Sequence, residues 1–211
     1  MKETNTPTHL SADEYLRAEE VSTLRREYVD GRVFTMTGTT LRHNALVNNI
    51  YSALRAHTKN GPCKAYTIDV KVHVQSANSF YYPDVVVTCS KSPDNSLIVE
   101  SPVFIAEVLS RSTSLVDRRE KVVTYKQLPS LKEYLIVHQT KKKVELHRRI
   151  DSNSWEILEL IQGELLLLVS MPCGPMRITF DDLYEDVQFE SGFVKEEPTE
   201  YETSQEGEFD Y

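Results

Sequence analysis

Apolar residues recur along this chain with two periods, and the changes between them outline the elements. Ser11-Ala12-Asp13-Glu14 has the form of a capping box, which predicts a short helix ending near Glu20. Residues 27–36 alternate around Asp30-Gly31, the pattern of a tight hairpin. From 43 to 57, Leu46, Val47, Ile50 and Leu54 return at helical spacing, and Asn60-Gly61-Pro62 ends that helix. Residues 65–74 alternate in part and read as strand. Two apolar, β-branched runs follow, 80–87 and 102–109, each the length of a buried strand.

Ser114-Leu115-Val116-Asp117 repeats the capping pattern and predicts a helix over 115–127, stopped by Pro129. Strands at 134–137 and 144–149 form a hairpin around Gln139-Thr140-Lys141-Lys142. Strands at 155–161 and 164–169 form another around Gln162-Gly163. Asp181-Asp182 opens a short last helix. Strands and helices mix without regular βαβ alternation, so the fold class is α/β, a mixed β-sheet flanked by helices with additional β-hairpins.

At 211 residues, 40% hydrophobic and 27% charged, the composition suits one domain over 1–190. The formal net charge of −8 is uneven. The segment 191–211 carries seven acids and one base, which leaves 25 acids and 23 bases in the body. The body is thus close to neutral and is compatible with a phosphate-bearing substrate. The acidic end reads as a disordered tail, a solvating extension or, more speculatively, a mimic of nucleic acid that masks a basic surface. No apolar run reaches membrane-spanning length, and Met1-Lys2-Glu3-Thr4-Asn5 lacks the apolar stretch of a signal peptide. Cys63, Cys89 and Cys173 are odd in number and form no CxxC, which argues against a disulfide framework or zinc site and favours the cytoplasm. GxGxxG, GxxxxGK[ST] and GxSxG are absent, against dinucleotide, P-loop and α/β-hydrolase chemistry.

Asp84 and Glu107 change the picture most. Each is the lone acid in one of the two apolar runs. An ionised carboxylate is costly to bury unless it is paired, hydrogen-bonded or bound to metal. Two such costs on successive strands suggest one purpose, a divalent-metal site. Mg²⁺ or Mn²⁺ suits it, because hard cations take oxygen ligands and keep several waters.

Pro83-Asp84, 22 residues and then Glu107 resemble the signature of the PD-(D/E)xK nuclease superfamily. Tyr82-Pro83-Asp84-Val85-Val86-Val87, Glu107-Val108-Leu109-Ser110, Thr113, Asp117, Lys121 and Tyr125 resemble, in order and spacing, the Uma-type family of restriction endonucleases. Glu27-Tyr28-Val29-Asp30-Gly31, His43 and Glu133-Tyr134-Leu135-Ile136-Val137 extend the likeness to roughly 10–189. The resemblance implies a restriction-endonuclease-like core, hydrolysis of DNA phosphodiester bonds with Mg²⁺ or Mn²⁺, and a homodimer. It implies Asp84 and Glu107 as metal ligands, with the Val108 backbone carbonyl as a further one.

One departure stands out. An ExK motif places its lysine two residues beyond the glutamate, where this chain has Leu109. Asp117, Lys121 and Tyr125 share a helical stripe, and Lys121 is the substitute lysine. Other readings stay open. Asp117 also fits a capping acid, Lys121 a surface partner of Asp117, Glu27 a solvent-facing strand residue, His43 a capping histidine and Tyr125 a core residue. Lys141-Lys142-Lys143 and His147-Arg148-Arg149 fit a solvated hairpin or a DNA-backbone patch. Two alternatives to the endonuclease follow: an inactive DNA-binding or dimeric module that kept the fold, suggested by Leu109, and a metal-dependent hydrolase of another phosphoester.

Overall fold

The fold is seen in a computed structural model that describes residues 9–36, 38–109 and 115–189, with side chains left aside at 115–118. In chain order the elements are α1 (Ala12–Glu20), β1 (Arg26–Val29), β2 (Arg32–Thr35), α2 (Leu41–Thr58), β3 (Lys64–Thr67), β4 (Lys71–Val74), a 3₁₀ turn (Gln75–Ala77), β5 (Ser79–Tyr81), β6 (Val85–Thr88), β7 (Ile98–Val99), β8 (Pro102–Leu109), α3 (Leu115–Tyr125), β9 (Glu133–His138), β10 (Val144–Arg149), β11 (Trp155–Leu160), β12 (Leu165–Leu168), β13 (Met176–Thr179) and α4 (Phe180–Leu183). The chain is mixed α/β, with mixed sheets flanked by helices.

Among the described residues three sheets form rather than one. The first runs β2-β1-β5-β4-β7, the second β11-β10-β9-β8-β6-β3, and β12 pairs with β13. Pairing is antiparallel except for β4 with β7 and β8 with β9. The parallel step from β8 to β9 passes through α3, as a parallel connection must have a crossover.

Local chemistry explains the boundaries that the sequence indicates well. Ser11 caps α1 in a reciprocal box with Glu14, and Thr40 caps α2 by accepting the His43 N–H. Asp30 and Gly31 both have positive φ, 42° and 90°, the geometry of a type I′ turn. A side chain on Gly31 would also collide with the His9 imidazole.

Three expectations are corrected. First, the run 80–87 is not one strand. It breaks at Tyr82-Pro83-Asp84, where Pro83 has no N–H for a ladder and the chain leaves the first sheet for the second. Residues 65–74 likewise divide between β3 and β4, in different sheets. Second, β11 and β12 do not form a hairpin. The turn at Gly163 redirects the chain so that Leu166 and Leu168 enter the core, and β12 pairs with β13 instead. Third, Cys63 and Cys89 form a disulfide. They flank β3 and β6 one step beyond the Lys64–Thr88 pair, a juxtaposition set by register. The Ser114 cap and the acidic tail lie outside the described residues.

The core has three parts. One face of the six-stranded sheet packs against α2, α4 and the β12–β13 ribbon through residues such as Leu46, Ile50, Val87, Ala106 and Leu135. The opposite face meets the five-stranded sheet and α3 through Tyr81, Val86, Ile105, Tyr125, Tyr134 and Ile136. Tyr15 of α1 stacks on Tyr28 and meets Phe80 at a tilt at the outer face of the five-stranded sheet.

Candidate active site

The β6–β8 register pairs Val85 with Ala106, so one step further sets Asp84 opposite Glu107. Opposed residues of antiparallel strands project to the same face. That face carries Val86 and Ile105, so both acids look toward the seam between the two large sheets. Asp84 Oδ2 accepts the Val108 N–H at 2.7 Å, and His43 Nε2 of α2 lies 3.4 Å from the same oxygen. Thr67 Oγ1 donates to the Asp84 carbonyl at 2.8 Å and fixes the backbone beneath it.

Helix α3 brings the remaining groups. Tyr125 donates its hydroxyl to Glu107 Oε1 at 3.1 Å, and Lys121 Nζ lies 3.9 Å from that oxygen. Lys121 donates to Glu27 Oε1 at 2.8 Å, an oxygen that also accepts the Tyr82 N–H at 3.3 Å. The Lys121 ammonium sits 5.5 Å from the centre of the Tyr81 ring. The helix therefore supplies the cation that β8 lacks. Leu109 is on the same face as Glu107 but packs into the apolar cluster there.

Burial dominates the electrostatics. It pushes the Glu107 carboxyl up to about 8 from an ordinary 4.5. The Lys121 ammonium opposes this shift, while the negative charges of Asp84 and Glu27 add to it. Burial also raises the Tyr125 phenol well above its ordinary value, with the Glu107 charge next, so Tyr125 remains a donor. The side chains of Asp84 and Glu107 keep 19% and 12% exposure, enough to leave the acids open at one edge.

This donor set fits a hard divalent cation. A divalent cation beside Glu107 would favour its ionised form against the burial that raises its pKa, and would offset the smaller repulsion from Asp84 and Glu27. Among the described residues no three His, Cys, Asp or Glu side chains converge as a ready-made cage. A hard divalent cation such as Mg²⁺ takes one or two carboxylates and completes its shell with water and substrate oxygens. The Val108 N–H points at Asp84 and, in an extended strand, its carbonyl lies toward the same edge.

Asp84, Glu107, Val108, Lys121, Glu27, Tyr125 and His43 thus share one neighbourhood. The Asp117 side chain lies outside the described residues. Glu27 is buried at the lysine rather than solvent-facing. The basic run does not form a continuous patch. Lys143 pairs with Glu145 and Glu159, His147 is buried, Arg148 pairs with Glu133, and Arg149 holds backbone carbonyls. Sequence reasoning missed Thr67 and the Tyr82 N–H, which act through strand placement and leave no local signal.

Both the sequence and the fold have relatives among known proteins. Residues 12–175 match the Uma2 family, described as "Putative restriction endonuclease". Two proteins of Synechocystis sp. strain PCC 6803 are similar: "Uncharacterized protein sll1609", 32% identical over 72% of this chain and 88% of its own, and "Uncharacterized protein slr1290", 29% identical over 85% and 94%. A crystal structure titled as a putative nuclease belonging to DUF820, from Anabaena variabilis ATCC 29413, superposes with a TM-score of 0.68 at 14% identity, over 85% of this chain and 99% of that one. At that identity the superposition speaks for the fold, and the family match extends over most of the chain. The protein belongs to the Uma2 family.

Proposed function

We propose that the protein is a Mg²⁺- or Mn²⁺-dependent endonuclease that hydrolyses phosphodiester bonds of DNA. The observation that carries this reading is the opposition of Asp84 and Glu107 across β6 and β8, with Lys121 brought beside Glu107 by α3. Asp84, Glu107 and the Val108 carbonyl would hold the ion, which when bound polarises the phosphate and lowers the pKa of the attacking water.

The chain's own residues supply the rest. Lys121, held by Glu27, offers positive charge to the phosphate oxygens as negative charge develops. Tyr125 orients Glu107 through its hydroxyl. His43 faces Asp84 and limits where that carboxylate can turn. A homodimer, which the family resemblance implies, would let two such sites address the two strands of a duplex; light scattering on the purified chain reads its mass.

The test is cleavage of plasmid and single-stranded DNA by wild type, Asp84→Ala and Glu107→Ala, with Mn²⁺ and then with chelator. Cleavage by wild type alone, stopped by chelator, supports the reading. Cleavage that survives both substitutions contradicts the site. Leu109 favours a second reading, an inactive nucleic-acid-binding module. Wild type that binds DNA, takes up no metal and never cleaves would support that one.

A further inference from the structure

An open groove of about 930 Å³ lies away from the two carboxylates, between the C-terminal end of α3 and the turn joining β10 to β11. Its lining includes Lys126, Lys132, Arg149, Trp155, Gln127 and Asn153. Arg149 builds one wall. Its guanidinium donates to the carbonyls of Lys126, Leu128, Leu131 and Ser152 and lies 4.4 Å from the Trp155 ring centre. The Lys126 ammonium sits 5.4 Å from the same ring.

The cations of this groove outnumber its one carboxylate, Asp151. Among the described residues no carboxylate lies within ion-pair distance of Lys126, Lys132 or Arg149. Asp151 lines the groove, and its Oδ1 accepts the N–H groups of Asn153 and Ser154 rather than an ammonium. Burial lowers the pKa of Lys126, so its charge is held partly away from water with no anion to compensate it. An aromatic ring beside uncompensated cations, with amide side chains at the rim, matches the chemistry of a sugar–phosphate strand. Lys126 directly follows Tyr125, the residue that donates to Glu107, so the groove continues the helix that serves the acids.

We propose that this groove binds the phosphodiester backbone of the nucleic acid beyond the cleavage point, with Lys126 and Lys132 contacting phosphates and Trp155 lying against the strand. The proposal rests on the nuclease reading for its substrate but not on metal binding or turnover.

Trp155 is the single tryptophan of the chain, so its emission reports on the groove. The full-length protein is titrated, with chelator present, with an oligonucleotide duplex of about 20 base pairs, its single strand and the matching RNA, each chosen to span several phosphates. The expected result is a saturable change in Trp155 emission. Lys126→Glu with Lys132→Glu should weaken binding about tenfold and flatten its salt dependence by roughly one phosphate contact per lysine. The exposed Lys132→Glu alone, with circular dichroism unchanged, should give part of that loss. The three nucleic acids show which backbone is preferred.

Binding without any change in emission, together with unaltered affinity in the double variant, would overturn the proposal. So would polyglutamate of matched charge competing as well as DNA. Binding with the expected emission change but no cleavage supports the groove while the nuclease reading fails. Cleavage by wild type with no effect of the lysine substitutions does the reverse.

Discussion

The two faces of the six-stranded sheet come from the same strands yet differ in chemistry. On the face toward α2, Val85, Val87, Ala106, Val108 and Leu135 pack with Leu46 and Ile50 in an apolar contact, and the buried Glu133 further along that face is paired with Arg148. On the face toward α3, Val86, Ile105 and Ile136 are interrupted by Asp84, Glu107 and the paired Lys121 and Glu27. Strand alternation separates the two sets, since neighbours along a strand point to opposite faces. The packing under α2 is therefore explained by stability alone, and the buried acid beyond it has its own arginine. The other face carries charges whose desolvation opposes folding, and a function is needed to account for them.

That contrast is open to direct attack. The largest effect is expected from Glu107→Gln. Cleavage should fall at least about 10³-fold, the several kcal/mol that a metal ion supplies to the transition state. In urea denaturation near neutral pH its stability should stay level or rise, because the wild-type carboxyl must take up a proton on burial and the amide need not. A variant that loses activity only because it unfolds would break the comparison. Next in size is Leu135→Ala on the apolar face, which should cost about 2–5 kcal/mol in urea denaturation. Turnover per folded molecule should remain that of wild type.

Lys121→Ala is expected to reduce cleavage by about 10²-fold, as for loss of one group that stabilises developing charge. Calorimetry should still detect Mn²⁺, since the carboxylates remain. Loss of metal binding together with activity would show that Lys121 serves the structure of the site rather than the reaction.

The smallest effect is a pH dependence. Glu107 has a folded-state pKa raised to about 8 from 4.5, so between those values the folded chain holds a proton that the unfolded chain has released. Its contribution is full below the unfolded value and is lost as pH rises toward the folded one. The metal-free protein should therefore melt at lower temperature as pH increases through that window. Glu107→Gln should remove this part of the slope, as read by paired thermal melts.

Much of this architecture was written locally. The capping box at Ser11, the Asp30-Gly31 turn and the helical spacing of Leu46, Val47, Ile50 and Leu54 each need only neighbouring residues, and each appears in the fold. The two acids were visible because charge in an apolar run is conspicuous at short range. What escaped was set by register and by distant partners. Pairing of β12 with β13, the Cys63–Cys89 bond and the support of Asp84 by Thr67 all depend on which strands lie side by side. The basic run illustrates the opposite error. Close in sequence, Lys143, Arg148 and Arg149 are spent separately on Glu159, Glu133 and the carbonyls after α3.

The central claim is that Asp84 and Glu107 form one cation site. Isothermal titration of Mn²⁺ into wild type, Asp84→Asn and Glu107→Gln tests it most directly. A saturable isotherm in wild type that vanishes in both variants is the predicted result. The same isotherm in all three proteins would contradict it.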